Sequence, residues 1–136
     1  MSINPLKVLV VDDQPNVRFL LTVIIEEEGH KIFTAQNGKE AVEMVSSLYP
    51  DLIFMDVRMP VMGGLDALKK IKMISPRTEV VMMTAYGAED TIDTALQQGA
   101  LTCIAKPFDI EEIKGFIKEY GWGISSKADS NESRCG

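Results

Sequence analysis

A chain of 136 residues, 46% hydrophobic and 25% charged, suits one domain that buries about two-thirds of its unfolded surface. The net charge of -6 and pI near 4.8 exclude a basic nucleic-acid surface, so no direct DNA binding is expected. Apolar runs of about five residues cannot span a bilayer, and residues 1–5 lack the basic and apolar regions of a signal peptide, so a cytoplasmic protein is expected.

The first expected strand is the apolar run from Leu6 to Val11. Asp12, Asp13 and Gln14 follow, then Pro15 at the first position of a helix. That helix runs to about residue 28, with Val17, Leu20, Leu21, Ile24 and Ile25 on one apolar face and Gly29 as its stop. Residues 31–36 form a shorter strand nearer an edge. Asn37 caps a second helix with Ala41, Met44, Val45 and Leu48 inward, ending at Pro50. Leu52 to Met55 read as a fully buried strand that delivers Asp56 to its end, and Pro60 prevents a ladder or helix from absorbing the next segment.

Gly63 and Gly64 lead into a third helix with Leu65, Leu68 and Ile71 inward, closed at Ser75-Pro76. Residues 79–84 are a fourth strand, broken at Gly87. Ile92, Ala95 and Leu96 face inward on a fourth helix that stops at Gly99. Residues 101–105 form a fifth strand. Asp109 and Glu112 make a capping pair for a last helix with Ile113, Phe116, Ile117 and Tyr120 inward. No structure is assigned after about residue 122, leaving 1–122 as the domain and 123–136 as a polar, disordered tail. Cys103 lies in a strand and Cys135 in that tail, so no stabilising disulfide is expected.

Alternating strands and helices, with nearly continuous apolar strands, predict an α/β doubly wound parallel sheet covered on both faces. Ligands of such folds bind beyond the carboxyl ends of the strands, where the winding reverses. Asp12, Asp13, Asp56, Thr84 and Lys106 all stand at strand ends. Two carboxylates about 4 Å apart repel by roughly 4 kcal/mol at an effective dielectric of 20, so either one is protonated or a cation sits among them. An all-oxygen cluster suits a hard ion that keeps its waters, Mg²⁺ rather than Ca²⁺. With a threonine hydroxyl and a lysine ammonium beside it, the cluster suits a phosphoryl group, and a carboxylate can be the nucleophile. Each piece also has a plainer reading: an Asp-Asp pair caps a helix, a strand-end Asp makes a turn, and Lys-Pro belongs to a loop. Their combination at four strand ends favours the site.

Val10-Val11-Asp12-Asp13, Met55-Asp56-Val57-Arg58-Met59-Pro60, Met83-Thr84-Ala85 and Ala105-Lys106-Pro107-Phe108 resemble, in order and spacing, the receiver domain of two-component response regulators over about residues 6–120. The resemblance implies a flavodoxin-like (βα)5 fold with strand order 2-1-3-4-5 and phosphorylation of Asp56 by a histidine kinase or histidine phosphotransferase. It implies Mg²⁺ held by Asp13, Asp56 and the backbone carbonyl of Arg58, with Asp12 acting mainly through water, and a cis Lys106-Pro107 bond. Thr84-Ala85-Tyr86-Gly87, Gly99-Ala100-Leu101-Thr102 and the run from Ala105 to Ile113 are similar to stand-alone regulators of sporulation phosphorelays, and Asp13-Gln14 fits them too. Cys103 departs from the family, which often places a switch tyrosine or phenylalanine three residues before the lysine. Met62-Gly63-Gly64 departs as well, since Asp-Gly is common at its last two positions. Arg58 could position or shield the attacking water, or simply be solvated.

No helix-turn-helix follows the last helix, so output is expected from protein–protein binding by a monomer. Gln14, Asn16, Phe19, Pro107 and Phe108 are candidate residues for docking a histidine-bearing helical partner, although Phe19 at the margin of the core is the competing assignment. Alternative classes are a Mg²⁺-dependent aspartate-nucleophile phosphohydrolase, which usually carries Asp-x-Asp on its first strand, and a degenerate receiver acting only as a binding module.

Overall fold

A computed structural model describes the backbone of residues 5–85 and 88–127, with side chains through residue 120. The strands are β1 (Lys7–Val11), β2 (Lys31–Ala35), β3 (Leu52–Asp56), β4 (Glu79–Ala85) and β5 (Thr102–Lys106). The helices are α1 (Pro15–Glu27), α2 (Gly38–Leu48), α3 (Gly64–Ile74), α4 (Glu89–Gln97) and α5 (Ile110–Lys127). All pairings are parallel and the order is β2-β1-β3-β4-β5, the expected flavodoxin-like winding with β2 at an edge.

Strand alternation sorts the apolar side chains into two layers. Leu9, Val11, Ile53, Met55, Val80 and Met82 pack against α2, α3 and α4. Val8, Val10, Leu52, Phe54, Val81 and Met83 pack against α1 and α5. Coverage of both faces explains why the central strands are apolar throughout. The register sets Val11 opposite Met55, Asp56 opposite Met83 and Ala85 opposite Lys106, so the carboxyl ends form one rim.

Local signals act largely as expected. The Asn37 side chain accepts the Glu40 amide at 2.9 Å, and Gly29 and Gly99 end their helices with φ of 90° and 106°. Strand β2 stops at Ala35 because the Glu40 carboxylate takes the Gln36 amide at 2.6 Å. Three expectations change. Leu96 is 46% exposed rather than inward: α4 is short and its buried contact centres on Ala95, about 100° away around the helix. The Asp109 side chain accepts the Glu111 amide at 3.2 Å, while Glu112 bonds through its own amide to the Asp109 carbonyl, so the reciprocal capping pair is not formed. Helix α5 continues beyond residue 122, because interior glycines cost only about 1 kcal/mol each. Gly87 and Cys135 lie outside the described residues.

Candidate functional site

The rim gathers the acids at the point where the winding reverses between β1 and β3. Strand β1 ends at Val11, so Asp12 and Asp13 leave the pleat and can serve one site. Asp12 is fully buried, Asp56 is 9% exposed and Asp13 is exposed. One carboxylate oxygen from each lies within 4.8 Å of the others.

Asp12 is held at every polar atom. Its amide donates to the Ala35 carbonyl at 3.2 Å, and its Oδ1 accepts the Gln14 amide at 3.0 Å. Its Oδ2 faces the Lys106 ammonium at 2.9 Å, and its carbonyl accepts Nη1 of Arg18 at 2.7 Å. Lys106 Nζ also lies 3.5 Å from Asp56 Oδ2 and donates to Gln14 Oε1 at 3.4 Å. One ammonium therefore spans two acids and an amide. Burial first, then the neighbouring Asp12 charge, pushes the Asp56 carboxyl above the usual carboxylate range; Lys106 opposes this, and Asp13 adds to it.

Thr84 is buried one residue beyond Met83, the register partner of Asp56, and no hydrogen bond among the described residues occupies its hydroxyl. The Lys106-Pro107 bond is cis, as expected. Cys103 is half-buried on the α4 side of the sheet, where burial raises its thiol. The loop after Asp56 is tightly drawn. Gly64 donates its amide to the Val57 carbonyl at 2.8 Å, and a Cβ there would collide with the Asp56 carbonyl oxygen. Met62 donates to the Pro60 carbonyl at 2.7 Å around Val61, whose φ of 69° is costly for a β-branched residue. The Arg58 side chain is exposed in this loop.

Of the expected docking residues, Gln14, Asn16 and Pro107 are exposed and Phe19 is 70% exposed, so Phe19 is not a margin-of-core residue. Phe108 is half-buried against the α1/α5 layer. Arg18 could not have been found from sequence: nothing in a lone basic residue in the first turns of a helix signals its reach back to the Asp12 carbonyl.

Comparison with known proteins agrees with this geometry. A family model described as the response regulator receiver domain matches residues 8–118. Sporulation initiation phosphotransferase F of Bacillus subtilis is 44% identical over 114 residues, which span 84% of this chain and 92% of that protein. Chemotaxis protein CheY of Thermotoga maritima is 40% identical over 75% of this chain and 86% of its own length. Among solved structures, the CheX-CheY complex of Borrelia burgdorferi with beryllofluoride and magnesium has a chain that superposes with a TM-score of 0.80 at 34% identity, covering 85% of this chain and 89% of that one.

Proposed function

The chain belongs to the response regulator receiver family, whose members work in two-component and phosphorelay signalling, and we propose that it accepts a phosphoryl group on Asp56 from a phosphohistidine. The observation that carries this reading is the convergence of Asp12, Asp13 and Asp56 beside the Lys106 ammonium.

The donor set fits Mg²⁺. Three carboxylates converge where one ammonium pairs with two of them, all the donors are oxygens, and the raised Asp56 carboxyl marks charge that a hard dication relieves. Asp13, Asp56 and the Arg58 carbonyl would hold the ion, with Asp12 acting through water. Bound Mg²⁺ supplies neutralisation of the transferring phosphoryl oxygens.

Asp56 supplies the nucleophilic oxygen. Its O–P bond forms as the N–P bond of the donor imidazole breaks, and that electron pair stays on the imidazole nitrogen. Lys106 balances charge on the phosphoryl oxygens. The Thr84 hydroxyl, which makes no hydrogen bond among the described residues, donates to the phosphoryl once it is in place. Asp12, buried and paired with Lys106, holds the ammonium in the site and does not attack.

The donor is a histidine kinase or histidine phosphotransferase that docks beside α1 over Gln14, Asn16, Phe19, Pro107 and Phe108. Similarity to the sporulation phosphotransferase favours a relay, with the phosphoryl passing onward to a second histidine. Output by protein–protein contact and a cytoplasmic location belong to the same reading; no described helix is long and apolar enough to cross a membrane.

Intact-mass analysis after incubation with Mg²⁺ and acetyl phosphate, or with a phosphorylated kinase, tests this. Wild type gains one phosphoryl group and Asp56→Asn gains none. An unmodified wild type or equal labelling of the variant overturns the assignment, and sustained turnover of many phosphate esters points instead to a phosphohydrolase. Transfer of the label to a histidine phosphotransferase supports the relay; hydrolysis alone counts against it.

A further inference from the structure

We propose that Arg18 is a positioning residue for the acidic turn at 12–14, setting the aim of Asp13 and thereby the affinity of the acid cluster for a divalent cation.

The turn is held at both ends. The Arg18 guanidinium donates to the Asp12 carbonyl at 2.7 Å, while at the other end the Gln14 carbonyl accepts the first intrahelical bond of α1, from the Arg18 amide at 3.2 Å, so the arginine side chain supplies the Asp12 anchor alone. Asp13 lies between the two anchors, and no hydrogen bond among the described residues holds its carboxylate. The direction of that carboxylate therefore depends on the backbone on either side. The start of α1 lacks its usual fastening as well: Gln14 is the N-cap residue and makes no side-chain capping bond. Its side chain is turned toward Lys106 instead. The Arg18 guanidinium is a donor and satisfies none of the free amides of α1; it ties the start of the helix to the acid cluster through a charge-assisted bond to the Asp12 carbonyl.

Two effects of Arg18 on a bound cation have opposite signs. As a positive charge near the cluster, it repels a dication; as an anchor, it holds a ligand in place. Residues that orient metal ligands typically change metal affinity by about 10- to 100-fold when removed, so the anchoring effect is expected to win. The cation-binding consequence rests on the proposed Mg²⁺ site, whereas the ordering of the turn does not.

The test uses the full chain as wild type, Arg18→Met and Arg18→Lys. Hydrogen exchange at the Gln14 amide, which donates to Asp12 Oδ1, is followed by NMR in metal-free buffer, with β4 amides as the reference for global stability. Mg²⁺ affinity is measured by calorimetry. Arg18→Met is expected to speed Gln14 exchange about tenfold with the β4 amides unchanged and to weaken Mg²⁺ binding about tenfold, while Arg18→Lys restores most of both. Unchanged Gln14 exchange overturns the proposal, as does tighter Mg²⁺ binding in Arg18→Met, which would make the arginine a charge and not an anchor. If wild type binds no Mg²⁺ while Gln14 exchange still responds, the Mg²⁺ site and its dependence on Arg18 are both overturned, and the ordering of the turn stands.

Discussion

The Lys106 ammonium lies 2.9 Å from Asp12 and 3.5 Å from Asp56, so the lysine pairs more closely with the fully buried acid than with the proposed nucleophile. The two residues are 94 positions apart in sequence. A carboxylate with no exposed surface requires a partner of this kind, because an isolated buried charge costs several kcal/mol.

Replacing Lys106 with methionine should therefore damage the fold as well as the chemistry. Leaving Asp12 buried without its cation is expected to cost about 3 kcal/mol and lower the melting temperature by about 10 °C. Adding Asp12→Asn to that variant should recover part of the loss. Strictly additive effects in this double-mutant cycle, measured by urea unfolding, would show that the pair is not coupled.

Asp56 contributes in the opposite sense. Its carboxyl is raised in the folded protein, so the stability it contributes is present below the ordinary carboxylate value and is lost as pH rises through the folded value. In metal-free buffer, Asp56→Asn should melt several degrees above wild type at neutral pH, with the difference closing on acidification. Equal melting temperatures at both pH values would refute this, and Mg²⁺ should raise the melting temperature of wild type far more than that of the variant.

His30 carries a second, independent pH dependence at the far end of the sheet. Its Nδ1 accepts the Leu6 amide at 3.0 Å, and burial lowers its value despite the opposing pull of Glu28 and Asp51. The unfolded chain therefore takes up the proton first, and stability that is fully present above about pH 6.5 is lost as pH falls below it through the lowered folded value. His30→Asn, which offers an oxygen acceptor in place of Nδ1, should flatten the slope of the urea midpoint on the acid side of about pH 6.5. A slope identical to wild type would remove His30 as its source.

Two glycines should respond to alanine with opposite signs. At Gly64 a Cβ would meet the Asp56 carbonyl oxygen, Met82 Cε at 2.8 Å and Val57 Cα at 2.9 Å, so Gly64→Ala should cost about 2 kcal/mol and slow labelling of Asp56 by shifting its backbone. At Gly115, in α5, nothing lies within 4 Å, and Gly115→Ala should stabilise by about 0.5–1 kcal/mol. Denaturant midpoints of the two variants check both signs.

The order and type of the five strands and five helices were legible because they depend on local pattern. A continuous apolar run covered on both faces cannot be an exposed edge, and Pro15, Asn37, Gly29 and Gly99 act on backbone within a residue or two. The same locality placed Asp12, Asp13, Asp56, Thr84 and Lys106 at strand ends, and a parallel sheet must bring those ends to one rim.

Which atoms meet on that rim depends on distances between elements far apart in sequence, and no periodicity encodes those. Leu96 is apolar and on helical spacing, yet it is exposed because α4 is short and buries only the Ala95 side. Arg18 reads as an ordinary helix residue until α1 is set against β1 and its side chain reaches the Asp12 carbonyl. The sequence by itself determined that three carboxylates, a hydroxyl and an ammonium would share one end of a doubly wound sheet, because strand direction and alternation are local properties. Only the tertiary structure decided that Lys106 leans toward Asp12, that Asp56 bears the unfavourable burial and that Arg18 fastens the turn between them, because hydrogen bonds and desolvation act over a few ångströms and exist only once the elements are packed.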